Sequence, residues 1–284
     1  MTSTVLSLIV VTWDGKSEPF QYIVNDGSGD SSSVAALDFL LFDYSGKSQL
    51  PPDMKFDSSF ISHKTECKGQ VFNRVYEHVK DSNYKYISIF DDDIEISISK
   101  INKLLSISQK NNLSSFQASL SHDSSYSLEF TKNVKNELFR VVDWVEVMMP
   151  FYDFEMFITA GRFYQYSISS YGFDQFVMPL MQKILNKGPA AVIDAVTARH
   201  NRPITSHMSI FSNGKTALQE RNPLRKKCIK FLVDEYPHLV GTVWFYKTMA
   251  PLNSLARFWL TYLAFPWHQI IRLFKRPKQK SMNI

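Results

Sequence analysis

A series of short, unbroken apolar runs, separated by stretches of helical periodicity, limits most sharply what this chain can fold into. Runs at residues 5–12, 37–43, 58–64, 86–90, 115–119, 141–148 and 191–196 read as strands. Several lack polar alternation, as strands covered on both faces of a sheet do. Residues 68–80, 99–109, 154–166, 173–186 and 222–235 read as helices, with Ser99 a fitting N-cap and Pro223 a fitting first-turn residue. Residues 25–30 and 50–53 are turn or loop. Strands that alternate with helices specify an α/β domain.

Such a domain needs a core, and 284 residues with 44% hydrophobic content supply one. An aromatic content of 14% excludes a mainly disordered chain. Cys67 and Cys228 make neither a disulfide framework nor a zinc spacing, so a reducing compartment is expected. The first apolar run lacks a basic region before it and a small-residue cleavage site after it. It reads as a strand, and the expected location is cytoplasmic.

Near Gly241 the composition shifts, which divides the chain into a catalytic unit at 1–240 and a C-terminal segment at 241–284. The segment crowds eight aromatic residues between Trp244 and Trp267, then ends in Arg272, Lys275, Arg276, Lys278 and Lys280 with no acid among them. The run at 258–266 is too short to cross a bilayer. Residues 252–276 suit an amphipathic helix pair lying on a membrane surface; the alternative is a helix docked on the core with its basic residues solvated. The formal net charge of +5 decides nothing alone, because the acidic clusters lie mid-chain and the basic ones at the end.

The chemistry concentrates at Asp91-Asp92-Asp93, where an apolar strand runs straight into three carboxylates. Ligands of open α/β sheets bind outside the carboxyl ends of strands. Adjacent carboxylates repel unless a cation or hydrogen-bond donors neutralise them, and Mg2+ or Mn2+ suits oxygen ligands. The plainer alternative is a solvated turn capping the next helix.

Four other segments carry candidates. Asp143 and Glu146 are embedded in the apolar run at 141–148, where burial is expected and a buried carboxylate needs a partner or a task. Asp174 follows Gly172-Phe173 at a helix start, as a catalytic acid or a simple helix-terminal one. His200 follows a strand, as the aspartates do, so it can reach the same metal or serve structurally. Lys64 and Lys68 lead a strand into a helix, where they meet phosphate or only solvent.

Taken in order, these pieces resemble a family, the proteins grouped as "domain of unknown function 707", which are similar to GT-A nucleotide-sugar transferases. The matching stretches are Phe39-Leu-Leu-Phe-Asp-Tyr-Ser-Gly46, His63-Lys-Thr65 with Lys68, Tyr86-Ile-Ser-Ile-Phe-Asp-Asp-Asp-Ile94 and Phe116-Gln-Ala-Ser119. Val142-Asp-Trp-Val-Glu-Val-Met-Met-Pro150, Gly172-Phe-Asp174, Ile193-Asp-Ala-Val196 and His200-Asn-Arg-Pro203 complete the set.

The resemblance implies a GT-A fold, a central mixed sheet flanked by helices, and a metal-dependent hexosyltransferase using a uridine diphosphate sugar. Asp91 and Asp93 then form the DxD pair, with Asp91 on ribose or metal, Asp93 on metal and His200 completing the shell. Asp92, Lys64 and Lys68 border the nucleotide. Asp174 is the general base of an inverting reaction, with Glu146 behind it, and Asp43 or Asp26 contacts the nucleobase. Implied partners are the nucleotide sugar, a glycan or lipid-linked glycan acceptor of cell-surface polysaccharide synthesis and the inner membrane face, with no nucleic acid. Residues 17–33 depart from the pattern, being polar where many GT-A enzymes have a helix. Two rivals use the same features: a metal-dependent phosphohydrolase or nucleotidyltransferase, and a non-catalytic membrane-bound interaction protein.

Overall fold

The computed structural model describes residues 6–27, 36–203 and 209–249. Its elements in chain order are β1 (Leu6–Trp13), β2 (Ile23–Val24), β3 (Ala36–Asp43), β4 (Ser58–Ser62), α1 (Lys68–Val79), β5 (Tyr86–Phe90), β6 (Ile94–Ser97) and α2 (Ile98–Lys110). There follow β7 (Ser115–Leu120), β8 (Arg140–Val142), β9 (Phe151–Asp153), α3 (Phe154–Tyr164), α4 (Met178–Ile184), β10 (Ala190–His200), α5 (Ala217–Glu235) and α6 (Val243–Thr248).

The apolar runs pair into one mixed sheet in the order β2-β6-β10-β7-β9-β5-β1-β3-β4, with β8 alongside β10. Strands β4, β3, β1 and β5 are mutually parallel, and β9 runs antiparallel between β5 and β7. The chain steps from β1 towards β3 on one side and places β5 on the other. The carboxyl ends of β1 and β5 therefore flank a topological switch point, where such sheets form a crevice. Asp91 is the first residue beyond β5.

Both faces of the sheet are covered. On one, α1, α3, α4 and α5 pack around Phe72, Phe157, Tyr164 and Phe173. On the other, α2 and the stretch before β2 pack around Phe90, Phe116, Phe151 and Leu104. Helix α1 buries Val71, Phe72, Val75 and Val79, spaced for one helical face. The core also takes in Trp244, Phe245 and Met249. The interface-lying helices expected at 252–276 fall outside the described residues. Among the described residues no helix is long and apolar enough to cross a membrane.

Several sequence expectations change. Of the run at 141–148 only β8 and its end are strand; the chain then leaves the sheet and returns as β9. Asp143 is consequently exposed and pairs with Lys247, not buried. Helix α2 is capped by Ser97, whose hydroxyl accepts from Lys100 N, so Ser99 lies in its first turn. Helix α5 starts at Ala217 behind a Thr216–Gln219 capping box, which puts Pro223 inside the helix. Residues 173–186 divide into one π-helical turn, Phe173–Val177, and the short α4.

The long strand β10 carries the feature that matters most for the site. Its register with β7 slips between Ile193 and Thr197, and the strand then pairs antiparallel with β6, His200 opposite Ile94. At the slip, Asp194 accepts a 2.7 Å bond from Arg140 Nε and a 3.1 Å bond from Arg140 Nη2. Arg140 also donates to the carbonyls of Phe130 and Lys132. Replacing Arg140 by Ala would strand the Asp194 carboxylate in the core. The expected cost is roughly 3–5 kcal/mol, read from denaturant melts.

Candidate active site

The antiparallel pairing of β6 with the end of β10 builds the site. Asp93 directly precedes β6, and His200 ends β10, so a strand register carries the imidazole to the acidic run. His200 Nε2 lies 3.2 Å from Asp93 Oδ2. Its other nitrogen, Nδ1, is 3.0 Å from the Ser125 carbonyl, which fixes it as the donor. Nε2 is thereby left facing carboxylate oxygens. Asp91, Asp93 and His200 each offer a ligand atom, all within 4.8 Å of one another.

That donor set fits a divalent cation. Two carboxylate oxygens and an imidazole nitrogen suit Mn2+ or Mg2+, and a carbonyl holding the far ring nitrogen is how metal-binding histidines are oriented. The local charges are matched in the meantime by bases. Lys68 Nζ donates to Asp91 Oδ1 at 2.7 Å and to the Met148 carbonyl at 3.0 Å. Arg202 Nε donates to Asp93 Oδ2 at 3.1 Å, and its Nη2 to Asp92. Tyr44 donates its hydroxyl to Asp92 Oδ2 at 3.0 Å. Burial works to raise the pKa of Asp93, but His200 and Arg202 outweigh it and hold the carboxyl below its ordinary value. For His200 burial works downward, and the contact with Asp93 outweighs it.

A cleft of about 760 Å³ opens over these groups, and Glu146 and Asp174 line it too. Glu146 is held by its backbone N–H, which donates to the buried Gln117 side chain at 2.6 Å, while its Oε2 is buried without a partner. Burial pushes its carboxyl up to about 7, with Ser127 pulling the other way. Asp174 sits in the π-helical turn that follows Gly172, whose φ of 101° is left-handed. Burial, and then the charge of Glu146, push it up to about 7. Glu146 and Asp174 line the same cleft as Asp91, Asp93 and His200, and the charge of Glu146 reaches Asp174.

The turn bearing Asp174 is positioned from two directions. Gly69 at the start of α1 donates its N–H to the Ile168 carbonyl at 2.8 Å, so close that a Cβ there would collide with the backbone at Ser167. From α5 the buried Glu220 accepts from Ser167 Oγ, Ile168 N and both donors of Ser169.

The structure thus brings Asp91, Asp92, Asp93, Lys68, Glu146, Asp174 and His200 to one cleft. Lys64 is exposed and is not among the residues lining it. Asp43 is likewise outside the lining: its carboxylate accepts from Ser45 N, Ser48 N and Ser62 Oγ, tying down the loop after β3. Burial works to raise its pKa, and those bonds lower it to about 2. Asp26 bonds the first turn of α2 through Ser99. Tyr44 and Arg202 lie within the stretches Phe39–Gly46 and His200–Pro203, but sequence alone assigns them no role. The usable signal for Arg202 was its place two residues beyond His200.

No family model matches the chain, and no curated protein does. Solved structures do match. The S. aureus TarS 1–349 complex with UDP-GlcNAc superposes with a TM-score of 0.54 at 10% identity, covering 96% of this chain and 76% of that one. GalNAc-T7 with UDP, GalNAc and Mn2+ superposes with a TM-score of 0.54 at 9% identity, covering 84% of this chain and 52% of that one. These neighbours are GT-A glycosyltransferases, and a mixed sheet flanked by helices is common to them and to this chain. The chain has the GT-A glycosyltransferase fold.

Proposed function

We propose that this protein is a metal-dependent glycosyltransferase of the kind grouped as "domain of unknown function 707", moving a hexose from a uridine diphosphate sugar to a glycan acceptor. The observation that carries the reading is the shared cleft. It has a carboxylate–histidine set fit for a divalent cation at one place, and two buried carboxyls poised near neutrality at the next. Asp91, Asp93 and His200 would hold Mn2+ or Mg2+. A cation there neutralises the donor diphosphate and the charge that develops as it leaves. Lys68 borders the phosphates, keeping one N–H beyond those given to Asp91 and Met148. Asp43 is buried with both oxygens bonded within the loop after β3, which leaves Asp26 as the candidate nucleobase contact, with Lys64 as an outer phosphate contact.

In the transfer, Asp174 takes the proton of an acceptor hydroxyl, whose oxygen bonds to the anomeric carbon of the sugar. The bond from that carbon to the phosphate oxygen breaks, and its electron pair leaves with uridine diphosphate. Attack from the face opposite the leaving group inverts the configuration. Burial, and then the charge of Glu146, hold the Asp174 pKa near the working pH that suits a general base, and Glu146 is the second candidate for that role. The setting is synthesis of cell-surface polysaccharide at the inner membrane face, with the part of the 241–284 segment beyond the core-packed Trp244, Phe245 and Met249 as the membrane contact.

A panel of nucleotide sugars, each with and without Mn2+, tests the reading by thermal shift. One uridine donor should raise the melting temperature, and only with the metal. Release of phosphate or pyrophosphate without an acceptor would instead favour a hydrolase or nucleotidyltransferase. The pH profile is a second check. The base works deprotonated, so kcat/KM should rise through about pH 7 and level off above it. A flat profile from pH 5 to 8 would remove both carboxyls from the role.

A further inference from the structure

The charge at the far end of the cleft remains unaccounted for by the donor and the base. Beyond Asp174, Gln175 and Tyr171 line the rim, and both meet Arg221 of α5. Arg221 Nε donates to Gln175 Oε1 at 2.8 Å. Its guanidinium lies 5.2 Å from the Phe176 ring centroid and 6.0 Å from that of Tyr171. The side chain is therefore held in place by uncharged groups. One helical turn on stands Arg225, half-buried, with its Nε desolvated and without a hydrogen-bond partner.

The two guanidiniums repel: burial, then the charge of Arg221, lowers the Arg225 pKa. Like charges four residues apart destabilise a helix. Among the described residues no carboxylate forms an ion pair with either arginine. The other arginines of strands and site are paired: Arg140 with Asp194, Arg199 with Asp123, Arg202 with Asp92 and Asp93. From Arg221 to Lys230 helix α5 carries five basic residues and no acid. Two like charges without a carboxylate partner, one with a buried and unbonded Nε, need an explanation, and an oxyanion supplies one, because the guanidinium fork matches phosphate oxygens.

We propose that Arg221, held against Gln175 and Tyr171 of the cleft rim, and Arg225 one helical turn on form a subsite for a phosphate group carried by the acceptor. This rests on the glycosyltransferase reading and deepens it. Arg221 bonds Gln175, the residue after Asp174, so the subsite adjoins the base, where an acceptor would sit. The acceptor class is then a phosphorylated glycan or a glycan linked to a lipid through phosphate, in place of a neutral sugar.

The test uses the full chain saturated with UDP and Mn2+, with glucose 1-phosphate as probe and glucose as its neutral control. Glucose 1-phosphate should bind in a salt-sensitive manner, glucose should not, and Arg221→Gln/Arg225→Gln should weaken the probe at least about tenfold. UDP affinity should stay at the wild-type value in that variant, which also reports folding. The Arg221→Lys/Arg225→Lys protein, charged but without the fork, should fall between. Equal probe binding by wild type and the Gln variant, or equal binding of glucose, would overturn the subsite. The comparison is repeated without nucleotide, so a failure of UDP to bind sinks the glycosyltransferase reading while the subsite is still decided. Displacement of the probe by phosphatidic acid vesicles supports a lipid-borne phosphate, and its retention supports a soluble one.

Discussion

Asp93→Ala is expected to abolish metal-dependent nucleotide binding and to lower transfer by about 10²–10³-fold, while the fold survives. Asp93 is one of three groups that could hold a metal ion, and its Oδ2 meets both His200 and Arg202. A cation that neutralises a leaving diphosphate contributes several kcal/mol to the transition state, and each ~1.4 kcal/mol is a factor of ten. The change removes the partner of His200 and Arg202, whose contacts hold the Asp93 carboxyl below its ordinary value, so the metal-free protein should melt lower than wild type while staying folded. Asp92→Ala should do less to metal binding, since Tyr44 and Arg202 take its oxygens and it lies outside the ligand set. Calorimetry with UDP and Mn2+ on both variants measures the difference. Equal losses would dissolve the distinction drawn within the acidic run.

Asp174→Asn should lower kcat by roughly 10²–10⁴-fold, the usual range for a general base, and leave UDP affinity intact. It should also make the protein more stable at pH 8. The sign follows from the raised pKa. Below about pH 4 folded and unfolded chains both hold the proton. Between there and about 7 the unfolded chain has lost it and the folded chain keeps it, so stability falls as pH rises across that window. Asparagine removes that dependence, for a gain of roughly 1–3 kcal/mol above pH 7. Glu146→Gln should give a similar stability gain, because burial raises its carboxyl to about 7 as well. Its loss of kcat should be the smaller if Asp174 is the base. A larger loss at Glu146 would exchange the two roles. Loss of stability in either variant would show that its carboxyl is charged and paired in the folded protein.

Much of this was readable in the sequence, for local reasons. The run Tyr86–Phe90 is apolar at every position but one and ends in aspartates, so both the buried strand and its ligand-facing end are local facts. The meeting of His200 with Asp93 is not local. It depends on β6, a strand of four residues, pairing with β10 after a register slip that Arg140 and Asp194 hold in place. Nothing in the spacing of residues 94–97 announces that partner. The run at 141–148 misled because apolar content alone does not separate a strand from a buried bend. Gln117 there takes the Glu146 N–H that a neighbouring strand would otherwise take. Helix α5 misled in the other direction. Pro223 suits a first turn, but the Thr216–Gln219 capping box starts the helix at Ala217, six residues earlier.

On the proposed reading, Asp91, Asp93 and His200 hold the cation that holds the nucleotide. Crystals soaked with UDP and MnCl2 and measured at the manganese absorption edge test it directly. The account predicts one anomalous peak within coordination distance of Asp93 and His200 Nε2, with the diphosphate against it. A bound nucleotide with no peak there, or a peak at another place in the molecule, would contradict it.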